Sequence, residues 1–362
     1  MLKNIFLFFL FFLPLYAANP SLEEMIAQMI VVGFDGQKEG DKWVEQIAKD
    51  IKRSKIGGVI IDGNNIQNSA QLKKLTSYLK AQTSSLPLLV IAEQEGGNDS
   101  LFESKKGFSL IPSAQDMANT KDIEESALLY KKMSEELAMC GINVNFSPVL
   151  DLSPKAQSSK SQDSSRRYSS YEEIVTTYAS LLLKAQKNAD IATVVKYFPT
   201  AGANLIDNFN SEVDMTKNWR FEQLKPYYDL IGYQKIEAVL MSHSMQKDFD
   251  EQFPALMSTN IIQKLLRDKM HFEGLVFVDN LRTSSIAPQF DFKQRVIKSV
   301  NAGADILVFS NYFADNASMP FTVQKILLDA VRSGEISKER IELTYTRIKA
   351  FKEKISQKKS QL

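Results

Sequence analysis

The chain has 362 residues, with 44 Lys and Arg against 43 Asp and Glu and a formal charge of +1. So even a balance excludes a general binder of nucleic acid or of anionic membranes, because both need a basic field. One cysteine, Cys140, rules out an internal disulfide, and the two histidines, His243 and His271, stand in no cluster with metal-ligand spacing, so neither a metal nor a cofactor is expected.

The first stretch, "MLKNIFLFFLFFLPLYAAN", is not read as fold. Lys3 supplies a positive start, Ile5 to Leu13 is an apolar run too short to span a bilayer, and Ala17 and Ala18 offer small residues for cleavage. Residues 1–18 are therefore read as a signal peptide, with an uncleaved anchor as the other reading. Residues 19–362 are expected to form one exported, periplasmic domain without stable membrane insertion. Cleavage removes one lysine and no acid, which leaves a formal charge of zero.

Eight short runs rich in Val and Ile follow: 29–34, 57–63, 87–94, 141–149, 191–198, 236–243, 274–280 and 304–311. They do not alternate polar with apolar, which is the pattern of parallel strands buried on both faces. Segments of helical periodicity separate most of them, such as "DKWVEQIAKDIKRS" and "STNIIQKLLRDKM". Eight strand–helix repeats predict an α/β fold, a (β/α)8 TIM-type barrel; a doubly wound open sheet is the competing arrangement. Cys140, within "LAMCGINV", reads as a buried structural thiol, and the Ser-rich residues 154–170 as a surface loop.

In a barrel the chemistry sits at the carboxyl ends of the strands. Read in order, those ends carry Asp62, Glu93 with Glu95, Asp151, Lys196, His243, Asp279, and Ser310 with Asn311. Any one of them is most simply a turn or cap residue, and "DGNN" at 62–65 reads as a turn. Jointly they predict a polar pocket. His271 falls at the opposite end and reads as structural.

Several of these ends resemble glycoside hydrolase family 3. "AEQEGG" (92–97) is similar to the family's D-Q-E-G-G, and "KYFPTAG" (196–202) to its K-H-F-P-G-H-G. "NVNFSPVLDLS" (143–153), the stretch 241–281 and the closing "RIELTYTRIKAFKEK" add further matches in the same order. The resemblance runs from about residue 22 to about 354 and is nearest to the single-domain β-N-acetylhexosaminidases. It implies retaining hydrolysis of β-linked N-acetylglucosamine, with carbohydrate, peptidoglycan fragments included, as the partner. The nucleophile would be Asp279 in "VFVDN", followed here by Asn280. Glu93, Lys196 and Tyr197 match positions that hold the sugar; Arg166 matches another, with a solvated loop residue as the other reading, and His243 either lines the pocket or packs and bonds the backbone there.

The proton carrier is where the chain departs. The resemblance implies an Asp–His pair after the fifth strand, spelled D-S-H; here those residues are Asp207, Asn208 and Phe209. Phenylalanine can neither give nor take a proton. Asp207 itself or Glu212 is a candidate substitute, since a carboxyl in a dry pocket can titrate high enough to act as acid. A solvated loop is the plainer reading of Glu212 and Asp214. Leu101 stands where the family has an arginine, and Tyr197 replaces a histidine. Thr200 and Ala201 restrict a loop that is glycine-rich in the family. Two functions follow: an exported glycosidase of weak or absent activity, or an inactive member that binds a glycan or a protein partner.

Overall fold

The structure is a computed structural model that describes residues 19–83, 86–154, 165–200, 214–217, 219–233, 235–279, 281–282, 289–310 and 319–357. Asp207, Phe209, Glu212, Asn280 and Asn311 lie outside the described residues, as does the expected signal peptide.

All eight expected runs contain strands, each shortened, β4 and β5 at the amino end only. They are β1 (Ile30–Gly33), β2 (Gly58–Ile60), β3 (Leu89–Ala92), β4 (Val144–Val149), β5 (Ala192–Phe198), β6 (Ala238–Met241), β7 (Leu275–Asp279) and β8 (Ile306–Phe309). Every neighbouring pair is parallel, and β8 pairs with β1, so the sheet closes into a barrel in chain order. Closure decides against the open sheet.

The runs lack alternation because both faces are covered. Side chains of β1, β3 and β8 are buried throughout, one face packing the barrel interior and the other the helices. Each Val, Ile or Leu so buried contributes about 1.5–3 kcal/mol. The helix expected at 41–54 forms over Lys42–Lys52, with Val44, Ile47, Ala48 and Ile51 on its buried side.

The segment expected as an ordinary helix at 258–270 winds more widely. Over Asn260–Lys269 it is π-type, and the Met270 amide bonds the Leu265 carbonyl five residues back at 3.0 Å. Ile261, Ile262, Leu265 and Leu266 face the core. Their spacing suits either winding, which is why the sequence pattern does not separate them.

At the amino ends of the strands two polar devices tie the layers together. Asp305, fully buried before β8, meets Arg267, Arg340 and Arg347 at 2.9, 3.3 and 3.5 Å. Lys352, in the helix Lys338–Gln357, donates to Gln28 Oε1 and to the Gly57 carbonyl, both at 2.6 Å. The C-terminal helix is thus fastened to the segment before β2 and to the N-terminal helix Leu22–Gln28.

Candidate active site

The backbone turn after β3 aims two carboxylates. Residues 93–97 turn sharply, with Gly96 at φ +98° and Gly97 at φ +61°, in the left-handed region that disfavours other residues. A Cβ on Gly97 would sit 2.6 Å from Ser113 Cβ, and one on Gly96 2.4 Å from the Pro112 carbonyl oxygen. Between the glutamates, Gln94 is held from both sides: its amide donates to Asn145 Oδ1 at 2.9 Å and its carbonyl accepts from Asn145 Nδ2 at 3.0 Å. Glu93 and Glu95, two residues apart, both reach Lys196.

Lys196 is on β5, in register with Val149 of β4 and Leu240 of β6. Its side chain is completely buried; it contacts Glu93 Oε1 closely and Glu95 Oε1 at 2.5 Å. Arg166 comes in from the loop after β4. It grips Glu95 with both arms, Nη2 to Oε1 at 2.6 Å and Nε to Oε2 at 3.0 Å, and donates from Nη2 to the Tyr197 hydroxyl at 3.0 Å. Two acids and two bases thus form one compact set of zero formal charge.

Burial opposes the charge on Glu95, yet Lys196 and then Arg166 outweigh it and hold the carboxyl below its ordinary range. Burial works against the Lys196 ammonium too, and Glu93 and Glu95 more than offset it, so the amine stays charged well above its usual range. Burial raises the Tyr197 phenol, which stays protonated. The buried charges are compensated by fixed neighbours, as buried ions must be.

Asp279 closes β7. In register, Lys196 aligns with Leu240 and Leu240 with Phe277, which sets Asp279 two residues beyond that level. Its backbone carbonyl accepts a hydrogen bond from His243 Nε2 at 2.9 Å. A carbonyl only accepts, so His243 carries its proton on Nε2. Burial moves the imidazole below its ordinary pKa, with the bond to Asp279 opposing.

Asp62 and Asp151 are tied into the fold. Asp62 caps the turn at 63–65, accepting from the Gly63 amide at 2.6 Å, and Asn65 bonds the Phe34 and Gly36 carbonyls. Buried Asp151 accepts from Thr200 Oγ1 at 2.7 Å, a partnership across 49 residues that local sequence does not reveal. Leu101, half-buried, packs on the apolar core. Asp214 pairs with Lys247 at 2.7 Å on the surface; that bond and those from Thr216 hold its carboxyl below the usual range, so it is a solvated, ionised group. Cys140 is buried, and burial pushes its thiol up to about 12.

The structure therefore brings Glu93, Arg166, Lys196 and Tyr197 together and places His243 against Asp279. Glu95 is the member that sequence reasoning left as a strand-end acid, although its spacing from Glu93 was a usable signal. Arg166 is no solvated loop residue.

Comparison with known proteins follows the same lines. Residues 21–351 match the family model described as "Glycosyl hydrolase family 3 N terminal domain". The chain is 29% identical over 289 residues to a Haemophilus influenzae protein named beta-hexosaminidase, covering 78% of this chain and 79% of that one. It is 30% identical over 293 residues to one of the same name from Actinobacillus succinogenes, covering 78% and 80%. A solved glycoside hydrolase family 3 beta-N-acetylglucosaminidase from Paenibacillus sp. superposes with a TM-score of 0.81 at 26% identity, covering 93% of this chain. The chain spans 63% of that Paenibacillus chain, less than two thirds of its length.

Proposed function

Since the chain belongs to glycosyl hydrolase family 3, we propose that it is an exported, retaining glycosidase acting on β-linked N-acetylglucosamine in cell-wall glycans, with Asp279 as nucleophile. The observation that supports this most is Asp279 itself: a carboxylate at the carboxyl end of β7, its backbone held by His243, at the same barrel end as the Lys196–Glu95–Arg166 set.

In the proposed chemistry the Asp279 carboxylate attacks the anomeric carbon as the bond to the leaving oxygen breaks. That oxygen takes a proton from an acid, and the same group as base then activates water to release the sugar. The Asp207 or Glu212 carboxyl takes the acid's place, because Phe209 stands where the proton-carrying histidine would be. Ordinary glycosides, whose poor leaving groups need that proton, are cleaved weakly or not at all. Glu93, Arg166, Lys196, Tyr197 and His243 hold the sugar.

An aryl β-N-acetylglucosaminide tests this directly, because its leaving group needs no acid. Cleavage by the wild type, abolished by Asp279→Asn, is the expected result. No cleavage at any pH would sink the enzyme reading. It would favour the second one, which Phe209 motivates: an inactive family member that binds a glycan or a protein partner.

A further inference from the structure

The four charged side chains behind the mouth are not equally accessible. Lys196 is wholly buried, Glu95 is 6% exposed and Arg166 9%, whereas Glu93 is 38% exposed. Both cations are already engaged. Arg166 is forked onto Glu95 and bonded to Tyr197, and Lys196 lies between Glu93 and Glu95. Glu93 Oε1 also approaches Arg166 Nη2 at 3.7 Å. A molecule coming from solvent therefore meets the Glu93 carboxylate before either positive charge. Asp62, at the end of neighbouring β2, adds an acid, and Lys106 bonds the Gly63 carbonyl beside it at 2.9 Å.

We infer that Glu93 is a specificity-determining residue: it screens the buried Lys196 and Arg166 charges, so that the pocket accepts sugars bearing hydroxyl or ammonium groups and rejects sugars bearing a carboxylate. This rests on the reading of the barrel mouth as a glycan site. The physical basis is charge order along the entry path. An exposed carboxylate accepts hydrogen bonds from hydroxyls and attracts an ammonium group, while it repels a second carboxylate at close range. Without the Glu93 charge, Glu95, Lys196 and Arg166 carry a formal +1, and the preference inverts.

Calorimetric titration with glucosamine, N-acetylglucosamine and glucuronic acid, slightly below neutral pH, tests this on the mature chain. The wild type is expected to bind glucosamine at least as tightly as N-acetylglucosamine, and both more tightly than glucuronic acid. Glu93→Gln, which keeps the shape and removes the charge, should move the glucuronic acid to glucosamine affinity ratio by about tenfold towards the acid. Glu93→Asp, which keeps the charge, should preserve the wild-type order. A ratio unchanged by Glu93→Gln, with every sugar still bound, would overturn the inference and leave the glycan reading standing. Failure of the wild type to bind any of the three would overturn both. Should Glu93→Gln not fold, rising salt on the wild type serves instead: the discrimination should shrink as the exposed charge is screened, and a salt-independent ratio would count against it.

Discussion

Replacing Lys352 by methionine should change how stability depends on pH. The lysine is 1% exposed, and its Nζ donates to two carbonyl oxygens, Gln28 Oε1 and Gly57 O. Burial lowers its pKa from an ordinary 10.5 to about 7. A neutral amine has two N–H bonds, which match those two acceptors. Between about pH 7 and 10.5 the unfolded chain thus binds a proton that the folded one does not, and stability rises with pH across that window. Below about pH 7 the penalty is complete, worth about 5 kcal/mol relative to alkaline pH. Within the window the slope approaches about 1.4 kcal/mol per pH unit. Methionine fills similar space and does not titrate. It removes the donor to Gln28 Oε1 and leaves the Gly57 carbonyl with the Leu89 amide at 3.2 Å, a cost of about 1–3 kcal/mol that does not vary with pH. Urea unfolding of both proteins in steps from neutral to alkaline pH gives the comparison, since subtraction cancels every other titrating group. The wild type should gain on the variant as pH rises. A difference that stays flat would refute the reasoning and mean that Lys352 is charged in the fold.

Three further outcomes are expected. Glu95→Gln leaves Glu93 as the acid that Lys196 and Arg166 share among the described residues, and should cost about 3–5 kcal/mol in urea unfolding; a loss under about 1 kcal/mol would mean the set is not acting as a buried ion network. Gly97→Ala puts a methyl 2.6 Å from Ser113 Cβ at a positive φ and should cost about 1–3 kcal/mol, read as a lowered melting temperature. With its thiol pushed up to about 12 by burial, Cys140 should resist alkylation in the native protein and react once urea unfolds it; rapid native labelling would contradict that.

The barrel was legible because its signal is local. Val- and Ile-rich runs such as "LVIA" of β3 are buried on both sides, and burial on both sides removes alternation. The positions of Asp279, Lys196 and His243 followed from the strand ends. The contacts did not. Arg166 and Glu95 are 71 residues apart, and nothing in "RRYSS" says that its first arginine turns inward. Lys352 lies in a helix rich in lysine and glutamate, where any one lysine reads as solvated; only the packing of that helix under the barrel makes this one buried. Asp305 and its three arginines are likewise brought together from separate segments.

His243 commits its Nε2 proton to a backbone carbonyl, and burial keeps its ring neutral at physiological pH. An imidazole held in that way cannot take a proton at that nitrogen, nor release one without breaking the bond. On the function proposed above, with Phe209 in place of the family's proton-carrying histidine, the proton traffic of turnover falls to carboxyl groups. A rate measured against pH should then bend in the carboxylate range and lack the limb near neutrality that an imidazole imposes. The shape of that curve reports the composition of the mouth without any residue being changed.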